Sequence, residues 1–259
     1  MFDFRNRVCL VTGVGNPMGI GFGCAKALGM AGATIIVTST TDRINDRVNE
    51  LKSYGISEVY GYVANLCNRA EVVSLIDKII LKFKKIDVLV NNAGNASISE
   101  RNAGDIHYDI DNLNCDIWDK IINRNLTLNF NVTHTVLPYM KKNKYGRIVH
   151  ISSVTGPLVT HKGQAAYGAS KAGIAAFSKS IAVEYGQYNI LSNCILPGLI
   201  KTGVLTEKQM EAGSNNPLKR PGNADEVGML ALYLSSSENS YITGQDIVID
   251  GGNCIQEMK

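Results

Sequence analysis

Short runs of apolar and β-branched residues alternate with longer stretches of helical period, and this alternation constrains the fold more than any other feature of the chain. The strand-like runs are Val8 to Thr12, Ala33 to Thr38, Val59 to Val63, Ile86 to Val90, Arg147 to Ile151, Leu191 to Leu196 and Ile247 to Gly252. Between them, residues 20–30, 42–54, 69–85, 116–140 and 166–186, and a segment after Asn223, carry helical spacing. Asp42 is placed to cap the second of these helices, and Asn223, with Glu226 three residues on, to cap the last. Runs that are apolar on both faces suit a parallel sheet covered on both sides, joined by right-handed crossovers. The expected architecture is α/β: one doubly wound parallel sheet of about seven strands, in a single domain over residues 1–259. Residues 95–115 have no period and read as an exposed loop. Residues 203–222 are polar and irregular, with Pro217 and Pro221.

The first strand runs into Gly13-Val14-Gly15-Asn16-Pro17-Met18-Gly19-Ile20-Gly21 and then a helix. Strand, glycine-rich turn and helix together aim backbone N–H groups and a positive helix end at a phosphate, the Rossmann-type arrangement. The second strand ends at Ser39-Thr40, with no carboxylate until Asp42 and with Arg43 next to it. A carboxylate at that tip would hold the ribose 2′-hydroxyl of NAD, whereas hydroxyls and an arginine tolerate a 2′-phosphate, so NADP(H) is favoured over NAD(H). Further on, Tyr167 and Lys171 stand four apart on one helix face. A lysine ammonium beside a phenol is expected to lower the tyrosine pKa and fit it for proton transfer near neutral pH. Ser153, at the C-terminal end of the fifth strand, can bring a hydroxyl to the same place.

Composition removes several classes. The 259 residues, 45% hydrophobic, suffice for one large core. A net charge of +3 without a basic block argues against nucleic acid. The six cysteines (Cys9, Cys24, Cys67, Cys115, Cys194, Cys254) are scattered and read as reduced thiols of a cytosolic protein. His107, His134, His150 and His161 form no ligand cluster, so no metal is expected. The start of the chain is charged and has no signal-peptide core, and no apolar run is long enough to span a bilayer. The expected protein is soluble and cytoplasmic, without membrane partners.

Taken in order, Thr12-Gly13 … Gly19-Ile20-Gly21, Asn91-Asn92-Ala93-Gly94, Asn125, Ser153, Tyr167-x-x-x-Lys171 and Pro197-Gly198 … Thr202 make the chain similar to the short-chain dehydrogenase/reductase family, in its one-domain, FabG-like form. The resemblance covers residues 5–252. It implies a catalytic set of Asn125, Ser153, Tyr167 and Lys171. Tyr167 would be the general acid in carbonyl reduction, and Ser153 would polarise the substrate oxygen. Lys171 would bind the nicotinamide ribose and lower the tyrosine pKa, and Asn125 would hold a water that links Lys171 to solvent. It also implies cofactor contacts: Gly13, Gly19, Ile20 and Gly21 at the pyrophosphate, Ser39 and Thr40 at the adenosine 2′ position, and Asn65 and Leu66 near the adenine. Asn91, Ala93 and Gly94 would flank the adenosine ribose, Pro197, Gly198, Ile200 and Thr202 would line the nicotinamide, and Tyr167 and Lys171 would complete the set.

Three departures stand out. Five residues separate Gly13 from Gly19, two more than is usual. Related enoyl reductases share longer loops but have a wider Tyr–Lys spacing, which argues against enoyl reduction. Asn65 stands where an aspartate is common, and the Ser153–Tyr167 interval is one residue longer than usual, in the segment with His161 and Lys162. The implied activity is hydride transfer between NADP(H) and a carbonyl or secondary alcohol, with a 3-oxoacyl thioester reductase as the commonest role and other ketone, sugar or steroid substrates as alternatives. Lys201, Lys208, Lys219 and Arg220 are candidates for a patch facing an acidic acyl-carrier protein, and a homotetramer or dimer is implied. The competing class is a non-catalytic dinucleotide sensor, which usually loses part of the Ser–Tyr–Lys set that this chain retains.

Overall fold

The structure, a computed structural model, describes residues 2–94, 109–203 and 206–256. Strands β1 (Val8–Val11), β2 (Thr34–Ser39), β3 (Val59–Val63), β4 (Val88–Asn91), β5 (Gly146–Ile151), β6 (Ile190–Pro197) and β7 (Asp246–Ile249) form one sheet. Its order is β3-β2-β1-β4-β5-β6-β7 and every neighbouring pair is parallel. The α/β, doubly wound expectation is met. β1 pairs with both β2 and β4, so successive crossovers diverge there and leave a crevice at the C-terminal strand ends.

Two apolar layers hold the sheet. On one face Cys9, Val11, Ile35, Val37 and Val149 pack against helices α1 (Ile20–Met30), α2 (Ile44–Ser53) and α8 (Ala224–Ser235). On the other, Leu10, Ile36, Leu89 and Ile148 pack against α3 (Arg69–Phe83), α5 (Leu128–Asn143) and α6 (Ala165–Tyr185). The alternation along each strand sends successive side chains to opposite layers, which is why these runs had to be apolar throughout.

Four expectations are corrected. The helix expected over 116–140 starts at Cys115, as α4 (Cys115–Ile122), is broken by a π turn over Asn123–Thr127, and resumes as α5. Asn114 caps its start by accepting from the Asp116 N–H at 2.7 Å. The loop expected over 95–115 therefore closes early: Ile110–Asn112 is a 3-10 turn, and residues 95–108 lie outside the described residues. The irregular stretch 203–222 contains α7 (Glu207–Gly213), started by a reciprocal Thr206–Gln209 capping box. Asp42 does not cap α2, which begins at Ile44 without a side-chain cap. Asn223 and Glu226 do form the expected box at α8.

α1 and α8 touch through glycine. A methyl on Gly228 would lie 2.5 Å from the Gly23 carbonyl oxygen, and one on Gly23 would overlap the Ala224 carbonyl. Backbone against backbone leaves nothing soft to move. Gly228→Ala should destabilise by about 1–3 kcal/mol, lowering Tm by roughly 5 °C in a thermal melt, whereas Gly186→Ala, with open space around it, should not lower it.

Candidate active site

The C-terminal strand ends converge on the crevice, and the glycine turn after β1 is built to stay open there. Gly13 has φ +72°, and a methyl on it would stand 2.7 Å from the Ala93 Cα. A methyl on Gly21 would collide with the Asn92 side chain. The N-cap of α1, Gly19, offers no side chain to the first N–H groups, and no acidic residue occupies the first turn. An uncapped helix start behind a glycine cradle fits a phosphate-bearing dinucleotide. The lengthened turn is bolted on two sides. Asn16 folds as a turn, accepting from the Met18 N–H at 3.0 Å, and its Nδ2 donates to the Thr202 carbonyl at 2.7 Å. Arg47 Nη1 donates to the Gly15 carbonyl at 3.3 Å, and a methyl on Gly15 would meet the Arg43 guanidinium at 2.7 Å. The turn is thus tied to α2 on one side and to the segment after β6 on the other.

The structure separates the two adjacent asparagines after β4. Asn91 is fully buried and its Nδ2 donates to Thr133 Oγ1 on α5 at 2.8 Å, so its side chain is not brought to the crevice. Asn92, expected with its neighbours to flank the adenosine ribose and support the central strand, donates from Nδ2 to the Thr12 and Gly13 carbonyls at 2.9 and 3.0 Å and ties the two turns together. Thr12 Oγ1 accepts from the Asn92 and Ala93 N–H groups, each at 3.0 Å. Ser39 is buried, and its hydroxyl donates to the Thr41 carbonyl at 2.6 Å, while Thr40 is exposed. Asn65 is exposed and its Oδ1 accepts from the Cys67 N–H at 3.1 Å; Leu66 is buried beside it. Pro197 and Ile200 are buried at the end of β6, where a methyl on Gly198 would stand 2.7 Å from the Asp250 Cβ.

Ser153, Tyr167 and Lys171 gather at the end of β5. Ser153 Oγ accepts from the Thr155 N–H at 3.0 Å and is hydrogen-bonded to the Tyr167 hydroxyl. Lys171 Nζ donates to the Ile151 carbonyl at 3.0 Å, and Ser152 Oγ donates back to the Lys171 carbonyl at 2.9 Å. Asn125 sits in the π turn, and a methyl on Gly94 would approach its Oδ1 to 2.7 Å. The turn after β5 lies on the first turn of α6: Gly156, at φ +109°, leaves no room for a Cβ against the Gly168 carbonyl. The extra residue expected in this stretch falls in the exposed segment with His161 and Lys162, where Lys162 pairs with Asp109 at 3.2 Å.

The expected effect of Lys171 on Tyr167 is not the dominant one. Burial raises the Tyr167 pKa, and the Ser153 hydrogen bond opposes it. The ammonium lies 5.6 Å from the phenol ring centroid and is turned to the Ile151 carbonyl. Burial pushes Lys171 itself down to about 8, opposed by the nearby Cys194 thiol.

A family model described as enoyl-(acyl carrier protein) reductase matches residues 13–253. The chain belongs to the short-chain dehydrogenase/reductase family. It is an oxidoreductase of that family, acting on a carbonyl or the corresponding alcohol. Among curated members, the 3-oxoacyl-[acyl-carrier-protein] reductase FabG of Thermotoga maritima is 39% identical over 96% of this chain and 98% of its own length. Nodulation protein G of Rhizobium sp. (strain N33) is 37% identical over 97% and 98%, and oxidoreductase UcpA of Escherichia coli (strain K12) is 35% identical over 99% and 98%. Among solved structures of the fold, a candidate gluconate dehydrogenase from Agrobacterium tumefaciens superposes with a TM-score of 0.89 at 28% identity, covering 99% of both chains. Members of the family use a nicotinamide dinucleotide, and the glycine cradle described above suits one.

The lowered Lys171 pKa gives a signed prediction. The folded protein binds fewer protons at Lys171 than the unfolded chain between pH 8 and 10.5, so its stability contribution rises with pH across that window and is lost as pH falls. The stability of wild type relative to Lys171→Met should therefore increase by on the order of 3 kcal/mol from pH 8 to pH 10.5, measured by denaturant titration of the protein alone. A difference that stays flat with pH would contradict it.

Proposed function

We propose that the protein reduces a carbonyl, or oxidises the corresponding secondary alcohol, with NADP(H), using Tyr167 as proton donor or acceptor, Ser153 as the donor that polarises the substrate oxygen, and Lys171 and Asn125 as the proton path behind them. The observation that carries this is the meeting of Ser153, Tyr167 and Lys171 at the end of β5, across the crevice from the glycine cradle. The dinucleotide supplies the hydride when bound. Fixed donors at the substrate oxygen stabilise the charge that develops there. Gly13, Gly19, Ile20 and Gly21 would hold its phosphates, Leu66, Ala93 and Gly94 the adenosine half, and Pro197, Gly198, Ile200 and Thr202 the nicotinamide half.

The preference for the 2′-phosphate is supported by the Arg43 guanidinium, which stands against Gly15 three residues after Thr40; Arg47, on the Gly15 carbonyl, is already engaged by Glu50. A 3-oxoacyl thioester is the substrate we favour, on the strength of the similarity to the 3-oxoacyl-[acyl-carrier-protein] reductase of Thermotoga maritima. The Tyr167–Lys171 interval of four supports carbonyl over enoyl reduction. Lys201, Lys208 and Lys219 are exposed and suit an acidic carrier protein, whereas Arg220 is engaged by Glu226 at 2.6 Å and is set aside. Substrate choice is assigned to residues 95–115, of which 95–108 lie outside the described residues, and to 154–165 and 203–222 of this single domain. A homo-oligomer is proposed on the α5 and α6 faces and the β7 edge, where Phe130, Val183 and Val248 are exposed. All six cysteines are free, in keeping with a cytoplasmic setting. No helix among the described residues is long and apolar enough to cross a membrane, and none of their His, Cys, Asp and Glu side chains cluster to hold a metal.

Tyr167→Phe should lower kcat/KM by about 10² or more in an NADPH-oxidation assay against a panel of 3-oxoacyl thioesters and other ketones. An active wild type that lost little rate on this change would refute the mechanism, and a chain inert on every carbonyl and alcohol would favour the sensor reading. In equilibrium titrations, Arg43→Ala should weaken NADPH binding about tenfold or more and leave NADH unchanged. NADH binding to the wild type as tightly as NADPH would overturn the cofactor preference.

A further inference from the structure

His150 is fully buried on β5, immediately before Ile151, and no role has been given to it. Its Nδ1 lies 3.1 Å from Asn129 Oδ1 on α5. Asn129 in turn donates from Nδ2 to the main-chain carbonyl of Asn125, at 2.8 Å, inside the π turn. A carbonyl only accepts, so Asn129 must present its nitrogen to Asn125 and its oxygen to the imidazole. The imidazole must then carry its proton on Nδ1. The Asn91 Nδ2, at 3.4 Å from the same atom, donates instead to Thr133 at 2.8 Å. His150 Nε2 is buried and makes no hydrogen bond among the described residues.

We propose that His150 and Asn129 are positioning residues: the chain His150 Nδ1–H to Asn129 to the Asn125 carbonyl fixes the π turn, and through it the proton path from Asn125 to Lys171 and Tyr167. The inference rests on the catalytic reading given above. Four consecutive residues, the last two of β5 and the two that follow it, then each hold one part of the site. His150 reaches Asn125 through Asn129, the Ile151 carbonyl takes the Lys171 ammonium, the Ser152 hydroxyl takes the Lys171 carbonyl, and Ser153 bonds Tyr167. The imidazole has to remain neutral for this, since a second proton would put a cation beside the Lys171 ammonium. The groups around it are suited to that. α6 contributes Lys171 and the edge of Phe177, α5 contributes Asn129 and Thr133, β4 contributes Asn91, and β6 contributes Cys194 in register, whose thiol burial pushes up to about 12. Burial, and then the charge on Lys171, hold His150 down to about 3.

The test has two arms. In ¹⁵N NMR of the wild type, assigned by the signal lost in His150→Asn, His150 should show the Nδ1–H neutral tautomer without titrating from pH 5 to 9. An Nε2–H tautomer, or titration in that range, overturns the proposal whether or not a substrate is known. In kinetics, His150→Leu should lower kcat about tenfold or more and shift the pH profile of kcat, with KM for NADPH within about twofold. His150→Asn, whose amide nitrogen takes the place of Nδ1, should recover kcat to within a few-fold and restore the profile. A folded His150→Leu with wild-type kcat and pH profile, or a His150→Asn as impaired as His150→Leu, overturns it. If His150→Leu does not fold, Asn129→Ala takes its place under the same readouts. A Tyr167→Phe protein that keeps its rate would remove the catalytic reading while leaving the tautomer result to stand on its own.

Discussion

A buried ammonium is tolerable only where something accepts its protons, and in this fold the acceptor is the last carbonyl of a central strand. Lys171 is almost fully buried and donates to Ile151 at 3.0 Å, while Ser152 returns a hydrogen bond to the Lys171 main chain at 2.9 Å. The reciprocal clamp joins side chain to backbone in both directions, so α6 is fixed to β5 at one level and in one rotation. Desolvating a charge costs several kcal/mol even when it is partnered. The lowered Lys171 pKa records that cost. Tyr167, one helical turn earlier, inherits its place from the same clamp, and the turn through Gly156 is pressed against that first turn of α6.

The opposite wall of the crevice is held by a different device. Thr12 and Asn92 knit the turns after β1 and β4 with four hydrogen bonds of 2.9 to 3.0 Å, three of them to or from the Thr12 residue itself. Asn16 carries the lengthened glycine turn across to Thr202. Both halves of the crevice are thus braced by short polar side chains, while the large apolar residues stay in the two layers on either face of the sheet.

Much of this was legible in the residues because the period of the apolar pattern is a backbone property. Every expected strand is present, since a run buried on both faces leaves little freedom of assignment. Ser153, Tyr167 and Lys171 could be joined because a strand end and a helix face at spacing four are local geometry. Other features depend on partners that spacing does not reveal. Which of Asn91 and Asn92 faces the crevice is a matter of strand parity, and parity needs the sheet pairing. The π turn was hidden because one inserted residue leaves no mark in residue type. The helix at Glu207–Gly213 did leave a readable mark, Thr206 and Gln209 three apart, but it is short and lies among prolines. His150 resembled any core histidine until Asn129 was seen to stand between it and Asn125.

The π turn at Asn123–Thr127 also changes how the site is encoded. Such a turn amounts to one residue inserted into an α-helix, and each α-helical residue advances about 100° around the axis. The faces of α4 and α5 are out of phase by that inserted step. Asn125 owes its orientation to the number of residues before it as much as to being asparagine. Length is inherited differently from identity: point substitution can alter every side chain in this segment and keep the phase, whereas loss of any one residue would realign the two helices and turn Asn129 away from His150. The phase between the two helices is therefore guarded against drift in composition and exposed to a single deletion.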